Sequence, residues 1–236
     1  MGAFLLAVLA AGAAPAQPVE IRARFIGNMA FQLTDGRATL RTDFPYESGY
    51  AGYMTWAETL VPPASGDALC LITHAHRDHF AAELAPRFCQ RIVGPADTRT
   101  PSNGQGVAMD RPIPFGSVVV TPRATPHARL EHYSYLVEWS GLRLFFTGDT
   151  EDASELLRQR ELDVAFVSPW LLRAVASAGR RIDARRIVVY HHGPNEAVPA
   201  IQGREVPRQG DELVFRSGGY GFEPLPSVRT CASACR

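Results

Sequence analysis

The chain lacks an excess of charge of either sign: 24 basic residues are matched by 24 acidic ones. It also lacks any long basic run, so the electropositive track that a nucleic-acid phosphate backbone needs is missing. No apolar stretch is long enough to span a bilayer, which takes about 20 residues of helix. Cysteine is sparse: the chain has 4, Cys70, Cys89, Cys231 and Cys235, and none has zinc-finger spacing. No internal repeat or low-complexity segment is evident after the first 16 residues, which argues against repeat architectures. What is left is a chain of 236 residues, enough for one domain to bury a core without cross-links.

The start differs from the rest. Residues 1–14 carry no charged side chain and are rich in Ala and Leu, Ala14-Pro15-Ala16 forms a small-x-small pattern, and Gln17-Pro18 opens a polar region. This reads as a secretory signal over residues 1–16, although no Lys or Arg precedes its apolar part. The expectation is a single domain over residues 17–236, exported to the periplasm or beyond, with no stable membrane insertion once the leader is gone. In an oxidising compartment Cys231 and Cys235 are close enough in sequence to join, with a frayed tail of free thiols as the alternative. Cys70 lies in an apolar run and reads as a buried, inert thiol.

One run carries chemistry. Thr73-His74-Ala75-His76-Arg77-Asp78-His79 puts 3 of the chain's 7 histidines and a carboxylate into six residues. It follows the apolar run 68–72, a buried strand by pattern, and precedes helix formers at 80–84. His74 and His76 are two apart, so on an extended segment both point the same way. Imidazole and carboxylate at this density suit a borderline-soft divalent metal such as zinc. The competing reading, exposed loop histidines with Asp78 as a helix N-cap, leaves the later histidines unexplained. Those fall just after three further strand-like runs: His127 and His132 after 118–121, and His191 and His192 after 187–190, while Gly148-Asp149 follows 142–146. Ligands gather at strand ends because strands are rigid and loops leave access.

The order H-x-H-x-D-H, a His after a strand, a Gly-Asp turn and a late His resembles the metallo-β-lactamase superfamily of hydrolases. The resemblance runs over about residues 21–194. Phe25-Ile26-Gly27-Asn28-Met29-Ala30-Phe31-Gln32-Leu33, followed by Arg41-Thr42-Asp43, is similar to the branch that includes the ascorbate-6-phosphate lactonases and is related to tRNA 3′-processing endonucleases. The chain departs from glyoxalase II-like members and many β-lactamases, which carry Gly-Gly after D-H; here His79-Phe80-Ala81-Ala82 stands there. The resemblance implies an α/β, four-layer αββα sandwich with the metal site at one edge of its two sheets; pattern alone gives only a mixed α/β class.

The resemblance further implies that His74, His76 and His127 hold one metal and Asp78, His79 and His191 the other, with Asp149 bridging. Zinc is the first choice, with manganese or iron as alternatives. Two such ions, about 3.5–4 Å apart, activate a water for attack on an ester, lactone, amide or phosphoester. With two carboxylates and one hydroxide the formal charge is about +1, which favours a small anionic substrate. Asp78 and His132 are the candidate catalytic residues, His132 as a proton donor or as a group behind the ligands; it also competes with His127 as a ligand, as His192 does with His191. Rival readings are an iron-dependent thiol or persulfide oxidoreductase of the same fold and a non-catalytic metal-binding module.

Other expectations are milder. Asp43 braces the metal loop or starts a turn. The aromatic loop 44–56 is a lid or plain core, and Trp170 lines the pocket or packs in the core. Residues 153–159 and 173–178 read as helical, and 208–211 as a hairpin turn. Asp35, beside Gly36 in a hairpin remote from the cluster, is expected to tolerate Asn almost silently.

Overall fold

Most strands of this chain are apolar on both faces, so they must be covered on both sides, which dictates layers. The computed structural model describes residues 19–100, 109–193, 196, 198 and 203–217. The expected leader and the Cys231 and Cys235 pair lie outside the described residues. In chain order the elements are β1 (Glu20–Gly27), β2 (Ala30–Thr34), β3 (Thr39–Thr42), β4 (Ala68–Leu71), α1 (Ala85–Phe88), β5 (Arg91–Val93), β6 (Ile113–Phe115), β7 (Val118–Ala124), β8 (Tyr133–Trp139), β9 (Leu142–Phe146), α2 (Ser154–Arg158), β10 (Leu162–Val167), α3 (Pro169–Ser177), β11 (Ala184–Val189), β12 (Arg204–Glu205) and β13 (Glu212–Arg216).

The strands form two mixed sheets, ordered β13-β1-β2-β3-β4-β5 and β12-β11-β10-β9-β8-β7-β6. Period-two alternation assigns each strand's faces. Val164 and Phe166 of β10 join Phe25, Phe31 and Leu69 in the core between the sheets. Ala165 and Val167 face outward, under Leu171 and Leu172 of α3 and Leu156 of α2. On β4, Leu69 and Leu71 point between the sheets. Cys70 points out, with Ile72 just beyond the strand, toward Ala85 and Cys89. The layer order is therefore αββα, with the outer layer on the first sheet reduced to the single turn α1.

Three local expectations are corrected. Residues 80–84 form turns rather than a helix: Pro86 would clash with the preceding turn of a helix begun at 80, so the helix starts at Ala85. The turn at 208–211 does not close a hairpin, because β12 pairs with β11 while β13 pairs with β1, so the chain crosses from one sheet to the other. Cys70 is not a free thiol but is disulfide-bonded to Cys89, 19 residues on, with the Cα atoms 5.6 Å apart. That bridge ties the strand entering the metal loop to the segment after α1.

The sheets are also joined at both ends by hydrogen bonds. At one end Tyr133 N–H donates to Thr73 O (2.9 Å), and Tyr135 Oη donates to Ile72 O (2.6 Å). At the other, Asp35 Oδ1 accepts from Arg37 and Ala38 N–H (both 2.9 Å). Its Oδ2 accepts from Ser117 Oγ (3.1 Å) and from Trp139 Nε1 (3.0 Å) on the second sheet. Asp35, expected to be silent for rate and metal content, is not neutral for stability: this hairpin carboxylate joins the two sheets. Burial opposes its charge, yet the four donors hold its carboxyl below the usual range.

An Asn at position 35 has one acceptor oxygen and cannot serve both pairs of donors. Asp35→Asn is expected to cost about 1–3 kcal/mol, because the indole N–H of the fully buried Trp139 loses its partner. Urea unfolding at neutral pH checks this. The depressed carboxyl also makes this contribution present above the unfolded carboxyl pKa, about 3.9, and lost as pH falls below it. The gap between wild type and variant should therefore narrow in acid.

Candidate metal centre

All the candidate ligands lie at one edge of the two sheets, each just past a strand. β4 runs into Thr73 and His74, β9 into Gly148 and Asp149, and β11 reaches His191 one residue beyond Tyr190. His127 follows β7 in a tight turn closed by Leu130 N–H to His127 O (3.1 Å).

The structure brings seven side chains together in three overlapping groups: His74, His76 and His127; His74, His79 and Asp149; Asp78, His79 and His191. Within each, one donor atom per residue lies within 4.8 Å of the others. His74 Nε2 and His76 Nδ1 are 2.8 Å apart. Asp149 Oδ2 is 3.2 Å from His79 Nε2, 3.4 Å from His191 Nε2 and 4.0 Å from His74 Nε2. Asp78 Oδ2 lies 3.3 Å from His191 Nε2 and 3.4 Å from His79 Nε2. Asp149 is thus the carboxylate common to both ends of the cluster.

Asp43, 1% exposed, sits directly behind these donors. Its Oδ1 accepts from Thr73 N–H (2.7 Å) and its Oδ2 from the Thr73 hydroxyl (3.0 Å). His79 Nδ1 also faces Oδ2, at 3.2 Å, and the Thr73 hydroxyl stands 3.0 Å from His74 Nδ1. With Nδ1 of both rings held this way, Nε2 of His74 and of His79 is left to face the cluster. Asp43 therefore braces the metal loop.

The electrostatics suit a cation. Burial works against charge on Asp78 and Asp149, yet contacts with His79 and His191 hold both carboxyls well below the usual carboxylate range. Burial, helped by nearby His79, pushes the His74 ring down, so it stays neutral. Burial disfavours charge on His79 as well, but Asp149 and Asp43 raise it well above its ordinary value. A metal would take the place of that proton. Asp149 Oδ1 and His127 Nε2 are buried with no hydrogen-bond partner among the described residues. Unpaired buried polar atoms of this kind are costly unless a ligand satisfies them, and the donor set of imidazole and carboxylate fits divalent zinc, manganese or iron.

The two histidine alternatives separate. His192 points away: its Nε2 lies 3.2 Å from Pro207 O and its ring packs on Phe25. His132 is absent from the donor groups, and of its two expected roles its contacts match the group behind the ligands. Its Nδ1 meets the Thr125 hydroxyl at 2.8 Å, and its Nε2 accepts from Asp149 N–H at 2.9 Å. Burial pushes the ring down to about 3, so it remains a neutral acceptor with neither nitrogen free for substrate. The preceding amide, Gly148 N–H, donates to the Tyr190 hydroxyl (2.8 Å). Gly148 has φ +63°, and a Cβ there would stand 2.3 Å from His132 Nε2. Glycine is required by both counts.

The most connected residue that sequence reasoning missed is Asn28. Its Nδ2 donates to Asp78 O (3.3 Å), its Oδ1 accepts from Met54 N–H (2.9 Å) and its carbonyl accepts from His191 N–H (2.7 Å). One buried amide thus ties the metal loop, the late histidine and the aromatic loop. Its signal was present but faint: a Gly-Asn pair between two strands, here with φ +51° at Asn28. The aromatic loop divides between core and site, with Tyr53 packed on His191. Phe44 and Tyr46 are core residues, Tyr46 Oη donates to Met54 O (3.0 Å), and Trp56 Nε1 donates to Tyr46 O (2.9 Å). Trp170 is half-buried with its ring 5.1 Å from that of His191, so it belongs to the wall of the site.

Two outcomes are expected. His127→Ala should lose metal, whereas His132→Ala should keep most of it and displace Asp149. Asp43→Asn removes a charged acceptor from His79 and from the Thr73 hydroxyl that meets His74, and should weaken metal binding by about 10–100-fold with the fold intact. Competition with a chromogenic chelator, alongside circular dichroism, measures both.

No family model and no curated protein matches the chain in sequence. In three dimensions it is similar to a metallo hydrolase from the hyperthermophilic archaeon Ignicoccus hospitalis, with 17% identity and a TM-score of 0.67 over 83% of this chain and 98% of that one. It is also similar to the protein YhfI from Bacillus subtilis (15% identity, TM-score 0.59, 84% and 99% covered) and to a diphosphatase of the PhnP family (12%, 0.56, 85% and 99%). YhfI is itself described as a metallo-β-lactamase fold protein. With two mixed sheets, helices outside them and a His/Asp cluster at one edge, this chain has the metallo-β-lactamase fold.

Proposed function

We propose that this chain is a metal-dependent hydrolase of small anionic substrates. The observation that carries the reading is the place of Asp149: it groups with His74 and His79, and each of these belongs to a further group of its own. In this reading His74, His76 and His127 hold one divalent ion, Asp78, His79 and His191 hold a second, and Asp149 spans them. Ions bound there polarise a substrate oxygen and activate water for attack. The mixture of imidazole and carboxylate donors favours zinc over the alternatives manganese and iron.

The protein's own part is positioning and desolvation. Asp43 and Thr73 orient His74 and His79, while His132 and Tyr190 accept from consecutive amides and so hold the Asp149 carboxylate in place. Tyr53 and Trp170 pack edge-on against His191 and exclude water from that side. Substrate classes consistent with such a site are esters, lactones, amides and phosphoesters. Lactone hydrolysis of the ascorbate-6-phosphate lactonase kind is supported by the strand pattern at residues 25–33. The diphosphatase among the similar structures adds diphosphates to the classes to be assayed. Export is supported by the leader pattern and by the Cys70–Cys89 disulfide, since such bonds persist in oxidising compartments.

Protein purified without chelator is expected to hold about two equivalents of metal by elemental analysis and to hydrolyse at least one member of a panel of lactones, phosphoesters and diphosphates. Stripping the metal should abolish turnover, and re-addition should restore it. Asp149→Asn keeps the shape and removes the charge; it should weaken the second metal and cost about 10²-fold or more in rate without unfolding. Full activity in the stripped protein, or in Asp149→Asn with both metals retained, rejects the mechanism.

A further inference from the structure

Tyr53 is held rigidly at the cluster, and its hydroxyl makes no hydrogen bond among the described residues. Its ring stands edge-on to His191, with centroids 4.8 Å apart and planes at 89°. His191 in turn faces Asp78 and Asp149 through Nε2, so Tyr53 packs on a residue of the cluster itself. Burial, followed by the charges of Asp78 and Asp149, raises its phenol above the ordinary range, so the hydroxyl keeps its proton.

The backbone around Tyr53 is fixed from three directions. Its own N–H donates to Tyr50 O (2.9 Å). The next residue, Met54, is gripped at N–H by Asn28 Oδ1 and at its carbonyl by the Tyr46 hydroxyl. Asn28 is the residue that also bonds Asp78 and His191. Tyr53 is therefore one peptide away from a clasp shared with two donors of the cluster. A half-buried tyrosine packed on His191, with a hydroxyl that no described residue binds and a backbone held on both sides, has the features of a preorganised donor.

Several other donors near the cluster are committed among the described residues. His132 and His192 use their ring nitrogens within the protein. Arg77 is ion-paired with Glu47 and stacked on Tyr50 at 4.7 Å. All 24 basic residues of the chain are arginine, so no lysine ammonium is available.

We propose that Tyr53 is a catalytic residue that donates its phenolic hydrogen bond to the substrate oxygen on which negative charge develops. That oxygen is the carbonyl oxygen of an ester or lactone, or a non-bridging oxygen of a phosphoester. The assignment rests on the hydrolase reading above but has a test of its own.

The variant is Tyr53→Phe, which keeps the ring against His191 and removes only the hydroxyl. Inorganic phosphate, a tetrahedral oxyanion, is the probe, titrated calorimetrically into the metal-loaded full chain. The expected result is unchanged metal content and melting temperature, with phosphate bound about tenfold more weakly than by wild type. On any substrate that wild type hydrolyses, kcat should fall about 10²–10³-fold and KM should change far less. Equal phosphate affinity in the two proteins, or no phosphate binding by wild type, overturns the assignment. Loss of metal or of the fold in Tyr53→Phe overturns it too, because the hydroxyl would then serve the protein and not the substrate. A phosphate difference without any hydrolysis across the panel supports Tyr53 as an oxyanion donor and counts against the hydrolase reading alone.

Discussion

Two buried carboxylates set the terms for this structure. Asp78 and Asp149 are 6% and 7% exposed and meet across a set of imidazoles. A desolvated carboxylate is expensive unless positive charge or several hydrogen bonds compensate it. Here the protein supplies imidazoles, not guanidinium groups, although arginine is its only basic residue. Arginine would neutralise the carboxylates permanently and close the site. Imidazole lets the compensation come from outside, as a metal, and the same donors then serve chemistry in place of stability.

Holding such a cluster requires irregular backbone, and several irregular positions fall at the donors and their supports. Asn28, Asp43 and His191 all have positive φ, at 51°, 42° and 52°, and Gly148 joins them at 63°. Left-handed conformations are tolerated best by Gly, Asn and Asp, and His is also enriched there. Each is over-determined by hydrogen bonds: Asn28 by three, Asp43 by Thr73 and by its own N–H to Leu71 O at 2.9 Å, and His191 by the Asn28 carbonyl. Local strain is stable only under such over-determination. The hydrogen bonds that look structural are therefore what allow the ligand set to exist.

The site was more legible in sequence than the support around it. Histidine and aspartate in tight spacing after apolar runs announce themselves because few other purposes use that pattern. Strand alternation likewise exposed most of β1 to β4 and β7 to β11. What stayed hidden depends on pairs distant in sequence. Asp35 reads as a turn residue until the fold carries Ser117 and Trp139 to it, 82 and 104 residues away. Cys70 reads as an apolar strand residue until Cys89 is brought beneath it. His132 and His127 lie on one loop and share a chemistry; only the return of β9, which aims the Asp149 amide at His132 Nε2, tells them apart. Strands as short as β5, β6 and β12 have too few residues for alternation to register.

His132 also explains why the Gly-Asp turn takes the form it does. A buried neutral imidazole has one acceptor nitrogen, and here that nitrogen is used on a backbone amide. Bringing the ring that close leaves no room for a side chain on residue 148, so glycine there and histidine at 132 are one requirement seen from two sides. Tyr190, on the strand that delivers His191, caps the preceding amide through its hydroxyl. The carboxylate that meets both halves of the cluster is thus positioned from β8 on one side and from the end of β11 on the other, and neither contact uses an oxygen of the carboxylate itself. Oδ1 of Asp149 has no hydrogen-bond partner among the described residues, while Oδ2 faces the imidazoles of His79 and His191. The carboxylate is fixed through its backbone, which leaves one oxygen unused by the protein.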